Sequence, residues 1–494
     1  MALPRKVAAP PRALIAAALL SAQAQNTVAQ PSGRVKTLTD LRALPVALMG
    51  GTEAMRAAGR AYLPQHPAES DGSYTLRLQA TTLYNGFAET VISQAARFFA
   101  EPVVLKTDVP PLLAKLCENI DGQGRALTPF CADLTKEAFV DGISYILVDY
   151  PQVQDGATLA DQIALKTRPY WVLLKAGSLL GWRTESIGGQ QKLMQVRIRE
   201  CTEEAQGEFG ERVVERVRVL EPGRWRVYER QVVQGYESAQ WMLTDEGTTS
   251  LSYVPLVPFY TNRCGYMEGT PPLRTLAELN REHWISSSEQ RRALSFARFA
   301  MLLLKGFGGA KDNPGIVVAP DKVLYGAPDS DAKYVEHTGA GIDAGVKDIE
   351  AIERRMQSAG MELRVENAGG VTATAAALDS AETNAGLMAV AKGLEDAIEQ
   401  ALQMTADIMH LQTGGNVEVY DEFGAQELPG TLSELTQVRA SGNLSQSTYW
   451  TELKRRRVLD EDFDPEAEQV LLEAEVSKQM EQQQAFFEAQ QRQG

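Results

Sequence analysis

The stretch from Pro271 to Gln412 constrains the fold more than any other, because it holds three helical patterns long enough to be rods. The first, PPLRTLAELNREHWISSSEQRRALSFARFAMLLLKG, starts with proline and is followed by Gly306, Gly308 and Gly309, which predicts a helix of roughly 50 Å at 1.5 Å per residue. Its middle, through Asn280, Arg281, Glu282, His283 and then residues 286–292, is polar on nearly every face. A helix polar all round is expected to lie outside the core. It then needs intrahelical pairs such as Arg274 with Glu278, or packing against a neighbour or a copy of itself. On this reading His283 is a surface or intersubunit residue. The second pattern, residues 343–364, sets Ile349, Ile352, Met356 and Met361 on one stripe. A break at residues 366–372 containing Gly369 and Gly370 follows, and a third helix of about 60 Å runs to Gln412. A glycine pair between two rods predicts a loop that changes shape.

The preceding part reads first as helical, over residues 37–104, with Phe87, Val91, Ala95 and Phe98 on the apolar face of one helix. Residues 138–151 read as a helix end, a turn and a buried strand, and Asp149 at the strand end reads as structural because no second acid or histidine stands at a recognisable spacing from it. Alternation at 169–174, 191–199, 211–220, 224–228 and 239–243 predicts an antiparallel sheet. The Glu/Arg alternation of ERVVERVRV predicts a solvated face laddered by opposite charges.

Between the first two rods, residues 307–340 read as a small β-rich insert, with strands at 315–319, 323–325 and around 333–336. The glycines at 306–309 end a helix and lead to no G-K-[ST], so they are not a phosphate loop. Beyond Gln412 come a strand at 416–420, helices at 432–440 and 446–459, and a Glu/Gln-rich helical tail from Pro465. Lys454, Arg455, Arg456 and Arg457 read as a solvated helix face or partner contact.

The formal net charge of −15, from 64 acidic and 49 basic side chains, argues against a protein built to grip nucleic acid. It is compatible with a wall past which DNA slides. A length of 494 residues with 44% hydrophobic residues provides ample core for more than one domain. The four cysteines, Cys117, Cys131, Cys201 and Cys264, form no C-x-x-C pair and read as buried small hydrophobes. The four histidines are too far apart for a zinc-protease motif and no G-x-S-x-G elbow occurs, so the expectation is a protein that is not an enzyme and uses no cofactor or metal. Arg5, Lys6 and Arg12 ahead of ALIAAALL, with Ala22-Gln23-Ala24 beyond, imitate a signal peptide, which makes an exported bacterial scaffold or binding protein the rival reading. No apolar run of about 18 residues predicts a membrane helix.

Several landmarks taken together resemble a known family. Residues 253–260 (YVPLVPFY), Thr270-Pro271-Pro272-Leu273 and Leu276-Ala277-Glu278-Leu279-Asn280 resemble a signature of the portal-like proteins of tailed bacteriophages and prophages. Tyr62-Leu63-Pro64, Tyr334-Val335-Glu336, residues 339–342 and 371–376, and Gly442-Asn443-Leu444-Ser445 follow in the same order, so the resemblance covers about Thr37 to Glu475. It begins beyond the signal-like segment, which favours a start codon placed too early, or a disordered arm, over export.

The resemblance implies an α+β portal architecture. Residues 1–35 would be an arm, 36–269 a wing, 270–305 and 343–365 the stem helices, and 306–342 a clip. Residues 366–372 would be a tunnel loop, 373–430 the long helix and return to the wing, and 431–494 a crown with an acidic tail. It implies a homo-oligomer, a dodecamer, at one capsid vertex of a virion assembled in the host cytoplasm. Double-stranded DNA would pass through it without sequence specificity. The implied protein partners are the terminase large subunit, tail adaptor proteins, and the major capsid and scaffolding proteins, with no membrane involved. The residues implied to face DNA are Glu366, Asn367, Ala368, Gly369, Gly370, Val371 and Thr372. Those implied to face the channel or a neighbouring subunit are Arg281, Glu282, Glu289, Arg292, Arg354 and Arg355, of which Arg354 and Arg355, adjacent on a helix, point in different directions.

The tunnel-loop stretch holds no Lys or Arg, so any contact with DNA there is expected to be steric. Gly369→Pro is expected to cut DNA packaging strongly in a packaging assay while rings still form; normal packaging by that variant counts against the assignment.

Overall fold

Ser32 accepts a hydrogen bond from the Val35 N–H and starts α1 (Gly33–Met49), whose buried Val35, Leu38, Arg42, Pro45 and Leu48 recur at helical spacing. The computed structural model describes residues 27–151, 167–232, 239–298, 301–305, 329–335, 340–361, 373–421, 423, 432–456, 458–459, 463–474, 477–478 and 480. They form an α+β fold of two units, residues 1–379 with 385–421, and residues 380–384 with 422–494.

In the first unit α1 is followed by α2 (Gly51–Ala58), α3 (Asp71–Ala80) and α4 (Gly86–Arg97). Asn85 caps α4 through the Ala88 N–H, and Phe87, Val91, Ala95 and Phe98 are buried, as the periodicity predicts. After β1 (Val104–Leu105) and α5 (Pro111–Cys117), α6 (Leu127–Asp141) stops at Gly142, which adopts φ 82°. The chain then enters β2 (Ile143–Asp149), buried almost throughout because it is the middle strand of a three-stranded antiparallel sheet with β3 (Tyr170–Lys175) and β9 (Leu256–Tyr260) on its two sides.

Between β3 and β9 lies a five-stranded antiparallel meander of β4 (Leu179–Ile187), β5 (Gln190–Gln206), β6 (Gly210–Glu221), β7 (Arg224–Gln231) and β8 (Gln240–Thr248). Two expectations change here. The segment read as the first strand of this sheet is β3, which pairs with β2 instead. The true first strand, β4, went unread because only its first residues are buried and the rest, WRTESI, is mostly polar. The predicted charge ladder is present: Arg216 pairs with Glu204 and Glu229, and Arg218 with Glu200 and Asp149. Asp149 thus accepts from Arg218 at 2.5 Å and from the Tyr170 hydroxyl at 3.2 Å, joining the two sheets as a structural carboxylate.

The inner faces of the two sheets share one core, with Ile143, Tyr145 and Leu147 of β2 against Val196 and Ile198 of β5. On the far face of the meander Val217, Val219 and Tyr228 are covered by Val28 and Ala29. Arg197 Nη1 holds that covering segment by donating to the carbonyls of Thr27, Val28 and Gln30 at 3.0, 2.7 and 2.9 Å. Residues 1–26, with the signal-like stretch, lie outside the described residues. Cys117 and Cys131 are buried as expected, but Cys201 on β5 and Cys264 are exposed, since strands at a sheet surface turn alternate side chains to solvent.

The chain then forms β10 (Arg263–Gly265), β11 (Glu268–Gly269), α7 (Arg274–Arg298), β12 (Met301–Lys305), β13 (Asp331–Val335), α8 (Ala340–Met361), α9 (Ala373–Ile408) and β14 (Val417–Glu418), which pairs with β1. The long first rod is therefore shorter than expected. Its last five residues, MLLLK, are a strand that pairs antiparallel with β13, an apolar run being equally compatible with either structure. Strands expected at 315–319 and 323–325 lie outside the described residues, as does the expected tunnel loop.

One crossing aligns α6, β2 and α7. A Cβ on Gly142 would stand 2.1 Å from the Thr270 carbonyl oxygen, and one on Gly269 would stand 2.5 Å from the Gly142 oxygen. The buried Arg42 spans the crossing, donating to the Asp141 carbonyl at 3.1 Å and the Gly269 carbonyl at 2.7 Å. Just before it, Met267 takes φ 62°, held by hydrogen bonds to the hydroxyls of Tyr145 and Tyr260.

In the second unit, α10 (Leu432–Ala440) buries no residue, and α11 (Gln446–Arg455) is capped by Ser445 and buries Trp450 and Leu453. The Trp450 ring meets Phe463 edge-on at 5.7 Å.

Gly142→Ala combines an unfavourable φ with a backbone clash and is expected to cost about 2–4 kcal/mol, lowering the thermal unfolding midpoint. Gly386→Ala, on a helix with open space around it, is expected to raise stability by up to about 1 kcal/mol. Equal midpoints for the two variants count against the crossing as a tight constraint.

Candidate functional site

The helices α7 and α8 are the elements on which the predicted stem residues lie. Cross-helix partners fix their direction: Glu282 meets Arg355 at 3.6 Å, His283 meets Glu353 at 3.1 Å, Ser286 meets Asp348 at 3.1 Å, and Gln290 Nε2 donates to the Ile342 carbonyl at 2.8 Å. Partner numbers fall as α7 numbers rise, so the pair is antiparallel. The strands β12 and β13 continue it and pair with each other in register, Met301 with Val335 and Lys305 with Asp331. The predicted stripe is present where α8 packs, with Ile352 and Met356 buried. At Gly345 a Cβ would lie 2.0 Å from Gln290 Oε1, so the glutamine side chain occupies the space a larger residue would need.

The expectation that α7 lies outside the core is overturned. Leu276, Ala277, Asn280, His283, Trp284 and Ser288 are buried, a face at 3.6-residue spacing that includes three polar side chains. Each of those has a partner in another helix or in the loop before α4, which is how polar groups tolerate burial. Asn280 Oδ1 accepts from the Phe87 N–H at 2.9 Å while its Nδ2 donates to the Tyr84 carbonyl at 2.8 Å, so it serves the start of α4. His283, only 4% exposed, is not a surface residue. Its ring lies 5.1 Å from that of Tyr84, with Nε2 at Glu353.

The strongest electrostatic feature is Glu69, with a side chain 1% exposed. It accepts from Arg77 Nε at 3.0 Å and Nη2 at 2.8 Å, from the His66 N–H, and from Arg292 of α7. Arg77 Nη1 also donates to Ser288 at 3.3 Å, and Arg292 Nη2 to Ser73 at 3.1 Å. The hydrogen bond from Arg77, working against burial, holds the Glu69 carboxyl down to about 2 from its ordinary 4.5.

The residues singled out from sequence are thus placed as follows. Arg292 is committed to Glu69, and Glu289 lies 3.7 Å from His66. Glu282 and Arg355 pair with each other, while Arg354 turns back to the Glu350 carbonyl at 3.2 Å, so the two adjacent arginines do diverge. Arg281 is exposed. Residues 366–372 lie outside the described residues. Sequence reading missed Glu69 and Arg77 as partners of α7, and Asn280 as its buried link to the start of α4, because these contacts join positions about 200 residues apart with no local signal. Among the described residues no group of three or more histidine, cysteine or acidic side chains could hold a metal ion, and no helix is long and apolar enough to cross a membrane.

Residues 272–409 match a family described as a domain of unknown function, DUF4055. A comparison with curated proteins returns no match. Among solved structures the chain is similar to one in the neck of a native GTA particle computed with C12 symmetry, at 13% identity and a TM-score of 0.40, covering 81% of this chain and 98% of that one. It is similar to one in the virion of a native gene transfer agent (GTA) particle, at 11% identity and 0.39, with coverages of 81% and 98%. A third is in the neck of an empty GTA particle computed with C6 symmetry, at 13% identity and 0.41, with 82% and 98%.

Because the folded value for Glu69 lies below the unfolded one, its contribution to stability is full above about pH 4.5 and is lost as pH falls toward 2. Glu69→Gln is expected to cost about 3–5 kcal/mol at pH 7 and to flatten the acid limb of the thermal midpoint between pH 4.5 and 2. A variant that matches the parent at pH 7 contradicts this account.

Proposed function

We propose that the chain is one subunit of a portal-type ring, the connector at one vertex of a phage-like capsid through which double-stranded DNA is packaged and released. The observation that carries this reading is the stalk: two antiparallel helices, α7 and α8, with the paired strands β12 and β13 lying between them in the chain, two residues after α7 and four before α8. A helix pair tipped by a small sheet is the stem and clip that the sequence resemblance implies. The family match over residues 272–409 spans this same segment. The surrounding sheets and helices correspond to a wing, and the unit containing α10 and α11 to a crown.

On this reading the segment around β12 and β13 docks the terminase large subunit and later the tail adaptors. Residues 366–372 face DNA in the tunnel. The role is mechanical, not enzymatic. Since Arg292 and the partners of Asn280 are used within the chain, subunit contacts along the stem fall to the exposed side, where Arg281, Glu282 and Arg354 lie. Head-to-tail interfaces between wedge-shaped copies close into a ring when the rotation allows it, and a dodecamer is the expected count.

Electron microscopy and light scattering of the purified protein test the reading. Rings with a central channel and the mass of about a dozen copies are expected. A well-folded single-copy species under every assembly condition overturns it.

A further inference from the structure

One buried acid stands at the glycine crossing without a partner of its own. Asp141 is the last residue of α6, immediately before the turn at Gly142, and is 4% exposed. Its carboxyl oxygen Oδ1 is buried and, among the described residues, accepts no hydrogen bond. Buried carboxyl oxygens are normally paired. The cation of the same crossing is Arg42 of α1, yet its hydrogen bonds go to main-chain oxygens, from Nε to the Asp141 carbonyl at 3.1 Å and from Nη2 to the Gly269 carbonyl at 2.7 Å. One guanidinium thus serves two carbonyls and leaves out the carboxyl beside them.

The charges that act on this carboxyl come from three elements. Arg42 attracts it from α1 and Lys175 from the end of β3, while Glu137, one turn earlier on α6, repels it and is itself ion-paired with Lys175 at 2.8 Å. On β2 the neighbouring titratable group is Tyr145, whose hydroxyl donates to the Met267 carbonyl at 3.0 Å. The chain that passes on the other side, residues 269–272, reads Gly-Thr-Pro-Pro and brings no charge. Burial is the largest influence and, with Arg42 opposing it, raises the carboxyl to about 6 from its ordinary 3.8.

We propose that Asp141 is a proton-operated latch on the crossing. With the carboxyl protonated, Arg42 stays on the two carbonyls and the chain entering α7 is held against Gly142. When the proton is lost to water the carboxylate becomes the better acceptor, because a charge-assisted hydrogen bond is about twice as strong as a neutral one. Arg42 then turns from the Gly269 carbonyl to the carboxylate, and residues 269–270 lose their fastening. The opposing cost is a carbonyl without a donor where water is excluded, so a single proton decides between two arrangements. Because the folded value lies above the unfolded one, the hold is complete below about pH 4 and is lost as pH rises through about 6. The device works in a single chain and does not depend on ring formation.

Backbone amides at the crossing report its opening: those of Thr261 and Asn262 donate to the Gly142 carbonyl, and that of Thr270 to the Asn262 carbonyl. Hydrogen exchange of the full-length protein is followed by mass spectrometry on peptides covering residues 260–271, from about pH 5 to about pH 8, and corrected for the intrinsic pH dependence of exchange. Protection in the parent is expected to fall about tenfold over that range and to stay level in Asp141→Asn, which keeps the side-chain shape but cannot ionise. A purely structural role would change protection by the same factor at every pH. A level parent, or an equal fall in the variant, overturns the proposal; a fall caused by Glu200, which burial also pushes up, would be of the second kind. Lys175→Met gives an independent reading at a side chain 62% exposed. Loss of this cation, with Glu137 left unpaired beside the carboxyl, is expected to move the fall to higher pH, and a fall at unchanged pH overturns the proposal as well.

Discussion

The place of every large element in the first unit depends on a backbone crossing that only glycine permits. Gly142 ends α6 and starts β2 while the chain returning through Gly269 and Thr270 to α7 passes against it with no room for a Cβ on either glycine. Arg42 fastens the crossing by donating to carbonyls from both strands of chain, and those carbonyls gain a partner where water is excluded. The sheet core, the helical layer and the helix pair are thereby set at one point. The positive φ of Met267 is the local strain this geometry imposes, balanced by Tyr145 and Tyr260.

Much of this architecture is legible in the sequence where the signal is periodic and local. The apolar face of α4, the buried run of β2 and the opposed charges of β6 each follow from spacing within a dozen residues, and each is found in the structure. The helix pair was also legible as elements, through the proline and glycines at its boundaries. The setting of α7 was not. A helix with Asn280, His283 and Ser288 on one face looks solvated, yet those side chains are buried against groups contributed by α3, α4 and α8. Polar burial is decided by partners, and a single sequence does not reveal which distant residue supplies one. The end of α7 failed for another reason: Met301 to Lys305 is apolar and short, and its strand conformation comes from pairing with residues 331–335.

Glu69 illustrates how a polar core orders as well as stabilises. A carboxylate shared between Arg77 and Arg292 has strict directional demands, and slipping α7 by one residue along its axis would take Arg292 from Glu69 and Ser288 from Arg77 while the Glu69–Arg77 pair stayed behind. Leucines at the same positions would accept several registers. The helix pair is therefore set with a definite rotation and height on the α3–α4 layer.

The close approach of Gln290 to Gly345 adds a mechanical trait. The glutamine lies in the gap of the missing Cβ and is hydrogen-bonded to the Ile342 carbonyl, like a key in a slot, so neither helix can shear lengthwise past the other without expelling a half-buried amide. Thrust or torque applied along α7 and α8 would then pass down both helices as through a single strut and reach α4 through Asn280.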